Sequence, residues 1–106
     1  MLLTTTPTIE GKKITKYYGI VTSEVILGAN VLKDFMASVN DFFGGRTTVY
    51  ENTLRQAKEQ ALEELKVQAL RMGANAIVGI DIDYETLGDK GTILMVACGG
   101  TAVLVE

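Results

Sequence analysis

The sequence predicts a small α+β sandwich, and three observations predict it. The apolar pattern changes along the chain from strand-like to helical and back to strand-like, giving the order strand, helix pair, strand, strand. Glycines stand at the changes of period, at Gly28, Gly44-Gly45, Gly73 and Gly91. The length is 106 residues with 47 % hydrophobic and 22 % charged residues, which suits one packed domain over residues 1–106. If the last strand lies between the other two, the sheet is antiparallel and its strand–helix–strand crossover obeys the right-handed rule. No internal repeat or low-complexity segment interrupts it.

Leu2 to Thr6 is extended in character and ends at Pro7. Proline lacks a backbone N–H, so this piece is expected at a sheet edge or as an arm. Ile14 to Leu27 is rich in Val, Ile and Tyr and reads as a long strand, bulged at Gly19. From Asn30, an N-cap candidate, Val31, Leu32, Phe35, Met36, Val39, Phe42 and Phe43 fall at helical spacing. Gly44-Gly45 ends that helix. In the second helix Thr48 and Glu51 stand in capping-box spacing, and Leu54, Ala57, Ala61, Leu65 and Met72 form one stripe. Leu62 and Ala69 widen the stripe, Val67 and Leu70 hint at a second contact surface, and Gly73 is placed to close the helix.

Ala76 to Glu85 alternates. Ala76, Val78, Ile80, Ile82 and Tyr84 are expected on one face, and Asp81, Asp83 and Glu85 on the other. A hairpin turn at residues 87–91 leads to the last strand, Thr92 to Val105, in which Gly99-Gly100 marks a kink or a close neighbour. The first and last long strands are apolar on both faces, which is more than one helical layer can cover. An exposed apolar patch of that size is unusual on a soluble monomer, so a homo-oligomer is expected.

The residues absent from the chain exclude much chemistry. There is no histidine and one cysteine, Cys98. Cys/His zinc frameworks, histidine-dependent hydrolases and an intrachain disulfide are ruled out. No carboxylate or lysine pairs visibly with a nucleophile, so an enzyme is not expected. The net charge is −3, from ten basic and thirteen acidic residues, which disfavours nucleic acid as a partner. Lys12, Lys13 and Lys16 beside Tyr17-Tyr18 read as a solvated turn. No secretory signal or spanning apolar run is visible, so no membrane association and a cytoplasmic location are expected.

Three constellations remain as ligand candidates. Cys98 carries the soft donor, although its apolar strand also suits a buried small hydrophobe. Asp81, Asp83 and Glu85 line one strand face with oxygen donors for a hard cation, against the reading of a solvated face or of salt bridges to Arg46 or Lys16 of a neighbour. Gly44, Gly45, Arg46, Thr47 and Thr48 lead into a helix N-terminus, where free N–H groups and a guanidinium suit a phosphate or carboxylate. The alternative there is a tight helix–helix connection. Met36, Met72 and Met95 read as core filler.

Certain residues carry a resemblance. They are Gly19 to Val25 with Gly28-Ala29-Asn30, then Gly44-Gly45-Arg46, Tyr50-Glu51, Arg55 to Glu64, Met72 to Gly79 and Gly100 to Val103. In this order the chain resembles the YbjQ family, a small bacterial group described as "putative heavy-metal-binding" and of unestablished role. The resemblance implies a dodecin-type subunit: a two-layer sandwich of helices on an antiparallel three-stranded sheet in order 1-3-2. It implies assembly into a pentameric ring, with Leu2 to Thr6 as the strand that bridges neighbours. It also implies a metal ion or small ligand at subunit interfaces, or else a scaffolding ring that binds a protein partner and no ligand. Dodecin-like assemblies bind flavin between subunits, so Tyr17 and Tyr18 enter by analogy as aromatic walls.

Overall fold

Alternation of large apolar and polar residues makes Ile14–Leu27 a strand, and it forms one edge of the sheet. The computed structural model describes residues 1–28, 45–88 and 93–106, leaving aside the side chains of residues 45–50. Its elements are β1 (Leu2–Leu3), β2 (Ile14–Leu27), α1 (Gly45–Met72), β3 (Ala76–Leu87) and β4 (Ile93–Val105). The expected helix from Asn30 to Phe43 and the turn residues 89–91 lie outside the described residues.

The sheet has four strands in the order β1-β3-β4-β2, and it is mixed. The three long strands keep the expected antiparallel order 1-3-2, and the correction is the fourth strand, β1, which makes the sheet mixed. β4 is antiparallel to both β2 and β3, while β1 joins β3 in parallel through Leu2↔Ala76 and Leu3↔Ile77. Leu2 to Thr6, expected to bridge neighbouring copies, therefore lies along the edge of its own β3. The Thr4 N–H donates to Ile77 O at 3.0 Å, the Gly79 N–H to Thr6 O at 2.9 Å and the Ile80 N–H to Thr4 O at 3.1 Å.

A second correction concerns β3. Val78 pairs with Thr101 and Asp81 with Gly99, so Gly79 and Ile80 together oppose Gly100 alone. This is a β-bulge, and Gly79 supplies the positive φ (63°) that one residue of it requires. One extra residue reverses the alternation. Ala76 and Val78 lie on the face opposite to Ile80 and Ile82, not on the same face. Gly100 makes room for the bulge: a Cβ there would meet Ile77 Cγ2 at 2.8 Å and Ile80 Cγ1 at 3.0 Å. The bulge expected in β2 is present, with a register shift between Tyr17 and Gly19 and a φ of 132° at Gly19.

Helix α1 packs on one face of the sheet through Thr53, Ala57, Ala61, Leu65 and Ala69, all buried. These positions repeat every four residues, and the alanines let the helix approach the strands closely. Against them lie Val21, Val25, Ile77, Ile80, Val96, Cys98 and Ala102. Met72, expected in the stripe, is 38 % exposed. The helix begins at Gly45, so Thr48 lies inside its first turn and is not the cap that its spacing with Glu51 suggests. A smaller cluster on the opposite face joins Ala76, Val78, Val103 and Val105, with Ile9 and Ile14 packed over it. No helix among the described residues is long and apolar enough to cross a membrane.

Candidate functional site

Every strand of a two-layer sandwich has a covered face and an outer face, and the register assigns each candidate to one of them. Cys98 pairs across to Ser23 and Ile82. It belongs to the helix-covered core and is 4 % exposed. Asp81 pairs with Gly99 and Asp83 with Ala97, one residue to either side of Cys98. Neighbouring residues of a strand point to opposite faces. The thiol and the carboxylates therefore stand on opposite sides of the sheet and do not meet.

Burial pushes the Cys98 thiol above its ordinary pKa, and the charges of Asp81 and Asp83 act in the same direction. A thiol held protonated is a poor nucleophile and a poor metal ligand. On the outer face a side-chain hydrogen bond with Asp81 raises Asp83 above the ordinary carboxylate range. The negative charges of Asp81 and Glu85 add to the shift, with a contribution from burial between them in size. Like charges at hydrogen-bond distance resist joint ionisation, which is the direction of the Asp83 shift.

The third constellation enters the structure as the first turn of α1, from Gly45. Gly44 lies outside the described residues, as do the side chains of Arg46, Thr47 and Thr48. The two tyrosines part company. Tyr17 pairs with Val103 on the outer face and is 68 % exposed. Tyr18 packs against the covered core, with Lys16 Nζ 4.8 Å from its ring centroid. They do not form two walls of one aromatic slot within the chain. Met95, expected as core filler, pairs with Ile26 and Glu85 on the outer face and is half-buried.

Among the described residues nothing covers the outer face beyond the small cluster. From β2 it presents Ile20, 80 % exposed, and Ile26, 61 % exposed. Glu24 stands between them, Met95 and Ala97 follow on β4, and Asp81, Asp83 and Glu85 border the face on β3. Among the described residues this face carries no lysine or arginine. It is an apolar strip flanked by carboxylates.

Three polar contacts went unforeseen from the sequence. Ser23 Oγ donates to Ala61 O at 2.6 Å and ties β2 to α1. Gln68 Nε2 donates to Thr22 O at 2.7 Å and covers a carbonyl of the edge strand. The Asn75 amide exchanges two bonds with the backbone of Val105, at 2.9 and 2.8 Å. Each joins residues far apart in the chain, so no local pattern announces it. They hold the scaffold and leave the open face untouched.

The fit of a heavy metal can be judged from these donors. Such ions favour thiolate and imidazole. The chain has no imidazole, and its one thiol lies under the helix. Among the described residues no three Cys, Asp or Glu side chains are placed to hold a metal ion. Among the described residues the donors of one chain do not make a heavy-metal site.

Comparison with known proteins places the chain. Residues 1–106 match the model of the YbjQ family, whose description reads "Putative heavy-metal-binding". Among solved structures, the chain is similar to a crystal structure of a protein of unknown function from Pediococcus pentosaceus ATCC 25745, of the DUF74 family. The two share 21 % sequence identity with a TM-score of 0.62, over 100 % of this chain and 98 % of that one. At that identity the likeness establishes the fold alone.

Proposed function

The chain belongs to the YbjQ family, and on that premise we propose that it is a non-enzymatic subunit of a homo-oligomeric ring holding an ion or small ligand between copies. One observation carries the reading: the open outer face, with Ile20 and Ile26 largely exposed beside Met95 and Ala97. Apolar side chains gathered on one uncovered sheet face favour burial against another protein surface. Five copies is the number that the resemblance implies.

A scaffolding ring without a ligand is the second reading, favoured by the burial of Cys98. Protein purified without chelator separates the two. Light scattering after size exclusion is expected to give a multiple of the 106-residue chain mass at micromolar concentration, and a monomer would overturn both readings. Elemental analysis and native mass spectrometry of the same sample are expected to find an ion or small molecule. An assembly with neither leaves the scaffold.

A further inference from the structure

We infer that the open sheet face is covered by the lysine-rich end of a second copy of the chain, in a head-to-tail contact. This rests on the reading that copies assemble.

The argument starts from the charge on the face. Its carboxylates are Glu24, Asp81, Asp83 and Glu85, and no cation offsets them among the described residues. Asp81 and Asp83 are already crowded enough to raise the pKa of Asp83. Closing the face on the same face of a twofold-related copy would bring two sets of carboxylates together over an apolar strip. Like charges brought together across an interface are costly, and more so as water is excluded. The apolar strip asks for a cover, and the carboxylates require it to be cationic.

The chain has such a surface at the other end of the same sheet. Lys12 and Lys13 precede β2, Lys16 lies in its first residues, and Arg71 stands in the last turn of α1. All of them are exposed, and they outnumber Glu10 and Glu106 at that end. The Lys13 N–H donates to Glu106 O at 3.0 Å, and the Glu106 N–H to Lys13 O at 2.9 Å, so the backbone there is held at the end of the sheet. Tyr17, 68 % exposed, adds aromatic surface on the outer face at that end of the sheet, while Lys16 lies over the Tyr18 ring on the other side. Tyrosine and arginine are enriched at interfaces, and charges at the rim of an interface steer and orient the partner.

The two surfaces cannot meet within one chain. Lys16 pairs with Leu104 and Asp83 with Ala97, which separates their rows by about 23 Å along β4. The contact is therefore between copies and joins different surfaces of each. Repeated, a contact of this type closes into a ring when its rotation allows. Like-charge repulsion disfavours closing the face on its own twofold copy, and the lysine-rich end is the surface that offsets its charge.

Two exposed-surface variants test this, together with the wild type. The first carries Lys12→Glu and Lys13→Glu, the second Asp81→Lys and Asp83→Lys, and circular dichroism checks that each folds. By sedimentation velocity each variant alone is expected to assemble at least about tenfold more weakly than wild type. An equal mixture is expected to regain assembly, with both chains in one complex by native mass spectrometry. Wild-type assembly should weaken by about tenfold between 0.05 M and 1 M NaCl, an arm that needs no variant. A wild type that assembles independently of salt, with both variants still assembled, overturns the head-to-tail contact while oligomerisation stands. A wild type that is monomeric throughout overturns the oligomer reading itself.

Discussion

The two faces of the sheet are built from the same three long strands and differ in what meets them. On the covered face Val21, Ile77, Val96 and Ala102 lie against Ala57, Ala61, Leu65 and Ala69 of α1, each 3 % exposed or less. On the open face Ile20 and Ile26, neighbours of Val21 and Val25 in sequence, stay 80 % and 61 % exposed. Side-chain chemistry does not separate them. Position relative to the helix does, which teaches that apolar content in this chain exceeds what its own described fold buries. The chemistry divides in the same way: the thiol is on the covered face and the crowded carboxylates are on the open one.

The largest expected effect breaks the comparison at its centre. Leu65→Ala removes a fully buried side chain and leaves a cavity, at a cost of about 2–5 kcal/mol in urea unfolding. Ile26→Ala, measured at a concentration below that of assembly, is expected to cost about 0.5 kcal/mol or less. If the two substitutions cost the same, the faces are not different in the way described.

Next in size is Gly100→Ala. The added methyl would stand 2.8 Å from Ile77 Cγ2, 3.0 Å from Ile80 Cγ1 and 3.2 Å from Val78 O. The last of these is backbone and cannot swing away. Overpacking of this kind costs about 1–3 kcal/mol. Gly99→Ala one residue earlier meets nothing closer than 3.7 Å and should cost distinctly less. Thermal melts of the pair sharpen the comparison, because the two glycines sit on opposite faces of β4.

How far the sequence disclosed this arrangement depends on the range of the interaction. β2 was legible to its limits, Ile14–Leu27, because dense Val, Ile and Tyr residues and a neighbouring glycine are local signals. The bulge at Gly79 was not, since Ala-Ile-Val-Gly-Ile reads equally well as unbroken alternation. Only the pairing with Gly100 on another strand reveals the extra residue. That one residue decides which apolar side chains of β3 face the helix. The same limit applied to the candidate site. Cys98 and the acidic row are separately visible in the sequence, but their opposite faces follow from the register of β3 on β4. β1 was legible as an edge element from Pro7, whereas its choice of its own β3 over a neighbour rests on backbone bonds that carry no side-chain signature.

A smaller effect concerns the seam between helix and sheet. Ser23→Ala removes the 2.6 Å bond to Ala61 O on the covered face. A hydrogen bond of this kind contributes about 0.5–1.5 kcal/mol, and the loss should appear in urea unfolding. Thr22→Ala, at the neighbouring position on the open face, is expected to stay within about 0.5 kcal/mol, because Gln68 bonds to its backbone carbonyl and not to its side chain.

The smallest effect reads the covered face by its chemistry. The Cys98 thiol holds its proton above the ordinary value of 9.0, mainly because burial disfavours the thiolate. In the unfolded chain the thiol titrates near that ordinary value. Above pH 9.0 the native state therefore binds more protons than the unfolded state, and this contribution makes stability fall as pH rises. Below that range both states are protonated and the contribution vanishes. Tyrosines and lysines titrate in the same window, so the informative quantity is a difference. Stability curves of wild type and Cys98→Ala should run parallel below pH 8 and converge or cross above pH 9, with the wild type losing more. A thiol-specific chromogenic disulfide should react slowly with native protein at pH 8 and rapidly in urea. Fast native labelling with parallel curves throughout would place Cys98 in contact with solvent, and the division of thiol and carboxylates between two faces would fail.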